Sequence, residues 1–401
     1  MNDVSKTQDI YLKKFQLNAE IERCLHCKTQ PCMNACPVNC NPHEFIQFAK
    51  LGDWKNAVKA ITRNNPLGQT CGLICPDKFC MKACTRNKID FPINIPKVQA
   101  TILQSYHEQL EIQPPPIPKP QTIAIVGAGP AGIAAAARLA NAGFAVEIFE
   151  SRPIIGGALN MIPPQRLPHD VLIRDWNFIP NHDRIKLRLN ASVQNPIDLS
   201  SQFDGVIVAT GEPNCMALNI PGEEFSVSYM DYLLNPEAFA THGDVAVIGG
   251  GNVAADCAMT AIRNGASSVE MFIRRRVSDM RISKLEYLDL LSAGINPNGM
   301  TSPEKIECNG NQKTLFVHKN RQIDGKWSPL PNSTIALPYF SLIIRAIGSR
   351  ADSKSDETPK NLIYAGDCKT GGSTIVEAIA SGRLAALHFI EKFTSPSKTV
   401  E

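Results

Sequence analysis

The sequence has little of what would mark it as a membrane or nucleic-acid protein. No apolar run approaches the roughly 20 residues needed to span a bilayer. The opening MNDVSKTQDIYLKK is polar, with no apolar segment of the kind an export signal carries. Aromatic residues are 6% of the 401, and the formal net charge is only +3. No basic run is interleaved with aromatics, so the charge-plus-stacking signature of a nucleic-acid surface is missing. Cys215, Cys257, Cys308 and Cys368 stand alone, so no C-x-x-C redox dithiol exists outside the first hundred residues. Hydrophobic residues at 43% and charged residues at 20% suit a globular chain of two to three domains. These absences lead us to expect a cytoplasmic protein with no nucleic-acid or membrane partner.

What is abundant is cysteine near the start. RCLHCKTQPCMNACP, from Arg23 to Pro37, holds Cys24, Cys27, Cys32 and Cys36. CGLICPDKFCMKAC follows with Cys71, Cys75, Cys80 and Cys84, and Cys40 makes nine. Disulfides require an oxidising compartment, which the polar N-terminus argues against. Zinc sites bring paired short gaps and often histidine; His26 could be offered, although we expect it to face solvent. Zinc gives no reason for Cys-Pro twice, at Cys36-Pro37 and Cys75-Pro76, each after an x3 gap. An x3 gap closing in Cys-Pro is the ending of ferredoxin runs, whose last cysteine serves the other of two clusters. Two 4Fe–4S clusters need about eight ligands, and the supply matches. Spacing alone leaves the last ligand of one cluster open, with Cys40 and Cys71 both available.

The surroundings of these runs read as helical, with apolar positions at Phe45, Phe48, Leu51, Val58 and Ile61 and a further helix from about Lys97 to Leu110. Residues 1–112 are therefore expected to be a small helical domain. EIQPPPIPKPQ then makes a stiff linker over 113–120.

Next comes a buried strand, Thr122 to Val126, running into Gly127-x-Gly129-x-x-Gly132, a helix, and a second strand ending at Glu150. Glycines allow backbone to approach a pyrophosphate at the helix N-terminus, and the terminal acid accepts from a ribose hydroxyl. Gly156-Gly157 after that glutamate is typical of flavin adenine dinucleotide (FAD) sites. Thr210 and Gly211 of FDGVIVATG, and Gly366 and Asp367 of NLIYAGD, are habitual features of two-dinucleotide flavoproteins, in which the acid meets the flavin's ribityl region. A second fingerprint, Gly249-x-Gly251-Asn252-x-Ala254, follows the strand DVAVI. Its next strand, Ser268 to Ile273, ends in Arg274, Arg275 and Arg276 instead of an acid, with Arg281 near. A 2′-phosphate needs arginine and is repelled by carboxylate, so this unit is expected to take NADP(H), with NAD(H) possible. The fold expected is α/β: a helical two-cluster domain, then two Rossmann-like units with the second inserted in the first. The FAD unit is set at 121–222 and 340–401 and the nucleotide unit at 223–339.

In order, RCLHC, CP, NPLG, CP, GAGPAG, GG, ATG, GGGNVAAD, RRR and AGD cover nearly the whole chain. The set resembles the glutamate synthase small-subunit family, which includes the electron-input half of dihydropyrimidine dehydrogenase. The resemblance implies hydride passing from NADPH to FAD and single electrons passing onward through two clusters to a partner subunit that carries the substrate site. It also implies that Cys24, Cys27, Cys32 and Cys84 hold one cluster and Cys36, Cys75, Cys80 and Gln99 the other. The glutamine, in PINIPKVQ, is the detail that favours the dihydropyrimidine dehydrogenase branch over glutamate synthase. An ordinary helical glutamine would be exposed. Two departures stand out: LNMIPPQRLP lacks the usual glycine before Ile-Pro, and only Ser349 to Tyr364 separate AIG from AGD. A thioredoxin reductase-like disulfide reductase shares the paired Rossmann units but needs a dithiol that is missing, and a non-enzymatic scaffold leaves two dinucleotide sites unexplained. With Glu401 as the last residue, a substrate barrel or an amidotransferase is expected to belong to another subunit.

Overall fold

The computed structural model describes residues 10–109, 116–310, 312–351 and 358–394. Internal contacts divide the chain into two units: Met1–Leu159 with Pro164–Glu212 and Ala351–Glu401, and Asn160–Pro163 with Pro213–Arg350.

The first unit begins with short helices. Pro42–Lys50, Trp54–Thr62 and Ile95–Tyr106 each start at a side chain that accepts the N–H three residues on: Asn41, Asp53 and Asn94. Such caps satisfy backbone donors that the helix itself leaves unpaired. Phe45, Val58 and Ile61 are buried as expected, but Leu51, at the C-terminal end of its helix, is 74% exposed. Gly68–Ile74 packs so closely on Ile95–Tyr106 that a Cβ at Gly72 would lie 2.7 Å from the Ala100 Cβ. The last residue of the expected helix, Leu110, and the linker's first residues to Pro115 lie outside the described residues.

The rest of this unit is a five-stranded parallel sheet. Its order is Leu362–Tyr364, Gly205–Val208, Thr122–Val126, Ala145–Phe149 and Ile185–Arg188. Buried on both faces, the inner strands read as continuous apolar runs, as parallel strands do. Pro130–Ala140 follows the first strand, and the long C-terminal helix Ile375–Thr394 lies on it. That crossing needs Gly382, where a Cβ would come within 1.9 Å of the Ala131 carbonyl oxygen.

The second unit holds an eight-stranded sheet. Asp244–Ile248, Ser268–Ile273 and Asn296–Gly299 run parallel, and Thr301–Asn309, Gln312–Ile323 and Ile335–Arg345 extend it with antiparallel pairs. Ile335–Arg345 also pairs parallel with Asp244–Ile248, so residues 340–350, expected with the first Rossmann unit, lie in the second. Residues 213–222 lie there too: the Pro221 carbonyl accepts from Ile306 N–H, and Ile220 packs on the core around Phe340. Between AIG and AGD the described chain forms two short strands, Ser349–Arg350 against Asn214–Cys215 and Leu362–Tyr364 against Gly205–Val208. Among the described residues no helix is long and apolar enough to cross a membrane.

Candidate functional site

The cysteine runs do not fold as two separate loops. Cys24, Cys27 and Cys32 of the first run stand with Cys84 of the second around a hollow of about 410 Å³. Cys36, the first run's last cysteine, joins Cys75 and Cys80 around another of about 430 Å³. Gln99, Cys40 and Cys71 complete that second wall. The crossover follows from local geometry. Gln30 is left-handed (φ 45°), which turns the chain into the four-residue helix Pro31–Asn34 and separates Cys32 from Cys36. Gln99 is 7% exposed, not on the surface where an ordinary helical glutamine would be. Its Nε2 donates to the Gly68 carbonyl at 2.6 Å, and its Oε1 accepts from Cys40 Sγ at 3.5 Å. His26 corrects an expectation: both ring nitrogens are sealed from solvent with no hydrogen-bond partner among the described residues, and its ring stands edge-on to His43 at 5.5 Å. His43, not His26, lines the first hollow.

The helix carrying Cys71 has no side-chain cap of its own. Asp175, on the helix His169–Asn177, supplies one from more than a hundred residues away. Its carboxylate accepts from Gln69 N–H at 3.2 Å and Thr70 N–H at 2.8 Å. Burial pushes this carboxyl up to about 7 against the pull of those donors and of Arg174.

At the first fingerprint, Gly127 has φ +103°, and a Cβ there would meet the Ala209 carbonyl oxygen at 2.5 Å. The Ala-Thr-Gly segment holding Thr210 and Gly211 therefore abuts the turn. Gly156 N–H donates to the Ala128 carbonyl at 2.8 Å, and Gly157 faces Gly129 backbone to backbone. Gly129 caps the helix Pro130–Ala140, so the N-terminal N–H groups sit among three glycine-lined walls. Glu150 is buried and accepts from Ala128 N–H at 2.8 Å and Arg152 N–H at 2.9 Å. Gly132 packs against the Gly127 carbonyl, and Gly366 against Ala131. Asp367 begins a short helix and accepts from the Ser373 hydroxyl; burial holds its carboxyl above the ordinary range.

At the second fingerprint, Gly249 lies against the Ala346 carbonyl and Ala254 is fully buried. Gly251 opens to free space and caps Asn252–Arg263, with Asn252 exposed. Arg281 N–H donates to Gly250 C=O at 3.0 Å, which returns the arginine segment to the glycine turn. Arg276 is engaged by Gln322 at 3.2 Å and the Trp327 ring. The guanidinium groups of Arg274 and Arg275 have no protein acceptor among the described residues.

Comparison with known proteins agrees with this geometry. Residues 1–110 match the family described as dihydropyrimidine dehydrogenase domain II, 4Fe–4S cluster. Residues 121–382 match pyridine nucleotide-disulphide oxidoreductase. Over 398 residues the chain is 30% identical to the NAD-dependent dihydropyrimidine dehydrogenase subunit PreT of Salmonella typhimurium, covering 94% of this chain and 95% of that protein. The chain belongs to the glutamate synthase small-subunit-like family of FAD/NAD(P) oxidoreductases. Within this family it is also 28% identical over 430 residues to the NADPH glutamate synthase small chain of Mycobacterium tuberculosis, covering 92% and 87% of the two chains. In fold it is similar to Mycobacterium tuberculosis FprA in complex with NADPH, with a TM-score of 0.58 at 19% identity over 68% of this chain and 84% of that one. As a member of the family it is an NAD(P)H-dependent oxidoreductase of the FAD/iron–sulfur type.

The residues present fit those groups. Burial raises the thiols of Cys24 and Cys36, and pushes Cys32 to about 11 and Cys80 to about 12. Such thiols become thiolates only against a strong positive charge, which iron supplies. Among the described residues no three His, Cys, Asp or Glu side chains converge as a single bare ion requires. Soft thiol donors gathered along two hollows are the donor set that iron–sulfur clusters take. Asp175 escaped the sequence reading because its partners lie so far along the chain, and no local pattern announces it.

Proposed function

We propose that this chain is the electron-input subunit of an NAD(P)-dependent dihydropyrimidine dehydrogenase working in the cytoplasm. It oxidises NAD(P)H and sends electrons through FAD and two 4Fe–4S clusters to a partner subunit that reduces uracil or thymine, or runs the reverse. The observation that carries the reading is Gln99, buried and lining the second cysteine hollow, the residue by which this branch differs from glutamate synthase. Likeness over nearly the full length of PreT supports it.

When bound, FAD takes two electrons as a hydride and passes them on singly, and the clusters carry one each. Cys24, Cys27, Cys32 and Cys84 hold one cluster, and Cys36, Cys75, Cys80 and Gln99 hold the other. Gly127, Gly129 and Gly132 let the helix N-terminus meet the FAD pyrophosphate, Gly156, Gly157, Thr210, Gly211 and Gly366 wall the same cradle, Glu150 accepts from the ribose, and Asp367 faces the ribityl chain. Gly249, Gly251, Asn252 and Ala254 receive the nicotinamide dinucleotide, whose 2′-phosphate Arg274 and Arg275 clamp.

The experiment is reconstitution. The purified chain should reduce artificial acceptors with NADPH but neither uracil nor thymine, and pyrimidine turnover should appear when a flavin-bearing catalytic subunit is added. Turnover of uracil by this chain alone would defeat the proposal. The second reading, favoured by likeness to the glutamate synthase small chain, is tested in parallel. Glutamate formation on adding a glutamate synthase large subunit would move the assignment there.

A further inference from the structure

The second cysteine hollow holds more ligating atoms than a cubane has corners. Cys36, Cys75, Cys80 and Gln99 supply four donors, yet Cys40 and Cys71 line the same space and are 4% and 2% exposed. Cys71 is joined to Cys75 through the backbone, Cys75 N–H donating to its carbonyl at 2.9 Å. Cys40 turns its Sγ to Gln99 Oε1, 3.5 Å away. The carboxamide is held from behind by the Gly68 carbonyl, so the thiol and the amide oxygen are adjacent at one point of the wall.

We propose that Cys40 is an alternate ligand of the second cluster, sharing one iron corner with Gln99. The inference rests on the cluster reading above. With the amide oxygen on iron, Cys40 stays protonated and donates its S–H to that oxygen. When the amide is withdrawn, the iron–oxygen bond breaks, the thiol gives its proton to solvent and an iron–sulfur bond forms, with no change in electron count. Thiolate is the softer partner and the stronger ligand for iron in clusters. It adds one negative charge, and net charge is among the factors that set cluster potential. The corner therefore has two settings: amide-ligated at higher potential and thiolate-ligated at lower potential.

The test uses anaerobically purified holoprotein, with iron, sulfide and FAD assayed and the clusters followed by electron paramagnetic resonance. Gln99→Ala should keep wild-type iron while the second cluster's reduction potential falls. Cys40→Ala should keep iron through Gln99. The double variant should lose the corner iron and, after one-electron oxidation of the sample with ferricyanide, show the signal of an oxidised three-iron cluster. Gln99→Ala combined with Cys71→Ala should behave as Gln99→Ala alone. Unchanged FAD content in every variant reports an intact fold. A three-iron signal from Gln99→Ala alone, or full iron in the Gln99/Cys40 double variant, would overturn the role given to Cys40. Wild-type protein without iron and sulfide would instead strike the cluster reading on which it rests.

Discussion

Asp175 is a buried carboxyl whose acidity is set by its surroundings: two backbone N–H donors favour the charged form, and burial, which wins, disfavours it. An unfolded aspartate titrates near pH 3.9, whereas this one is pushed up to about 7. Between those values the folded state holds a proton that the unfolded state has lost. Stability from this group is therefore full below about pH 4 and declines as pH rises through about 7. Asp175→Asn should flatten that slope, read as melting temperature against pH. An unchanged slope would show that the carboxyl does not titrate as described. The arginines give a second residue-scale outcome. Charge-assisted hydrogen bonds contribute about 1.5–3 kcal/mol. Changing Arg274 and Arg275 together to Ala should therefore raise KM for NADPH roughly tenfold or more while KM for NADH hardly moves. An unaltered NADPH/NADH ratio would remove the 2′-phosphate from these side chains. Arg276, already occupied by Gln322 and Trp327, is the poorer choice, which the sequence run alone did not reveal.

Among the elements, the helix Gly68–Ile74 ties the second hollow together, since Cys71 lies in it, Cys75 follows it, and Gly68 anchors Gln99. Its approach to Ile95–Tyr106 depends on Gly72, where a Cβ would also stand 2.8 Å from the Pro96 carbonyl. Gly72→Ala should push the two helices apart and empty the second cluster while sparing the first. Iron would fall from about eight per chain to about four, with FAD unchanged. Equal loss from both clusters would show that the helix pair does not separate them. The same element marks where the sequence is readable. The glycine fingerprints were legible because strand, turn and helix N-terminus are contiguous and each glycine answers a local steric need. The cysteine crossover was legible only through the Cys-Pro ending and a family likeness. The trans cap by Asp175 and the thiol of Cys40 beside Gln99 were not legible, because contacts between distant segments leave no periodic trace. The boundary at residue 340 was misplaced because the strand Ile335–Arg345 looks equally apolar whichever sheet receives it.

For the whole molecule, the two cluster sites proposed for the helical segment are superfluous to moving a hydride between a nicotinamide and a flavin. Under the proposed function, their use is to carry single electrons to a site on another protein, in keeping with relatives that are themselves subunits. The most direct measurement compares wild type with Cys32→Ser in two assays: NADPH reduction of an artificial acceptor that takes electrons from the flavin, and NADPH-driven uracil reduction with the catalytic subunit added. The variant, short of iron at its first cluster, should keep the first activity and lose the second. Uracil reduction at the wild-type rate by protein that has lost that cluster would contradict this expectation.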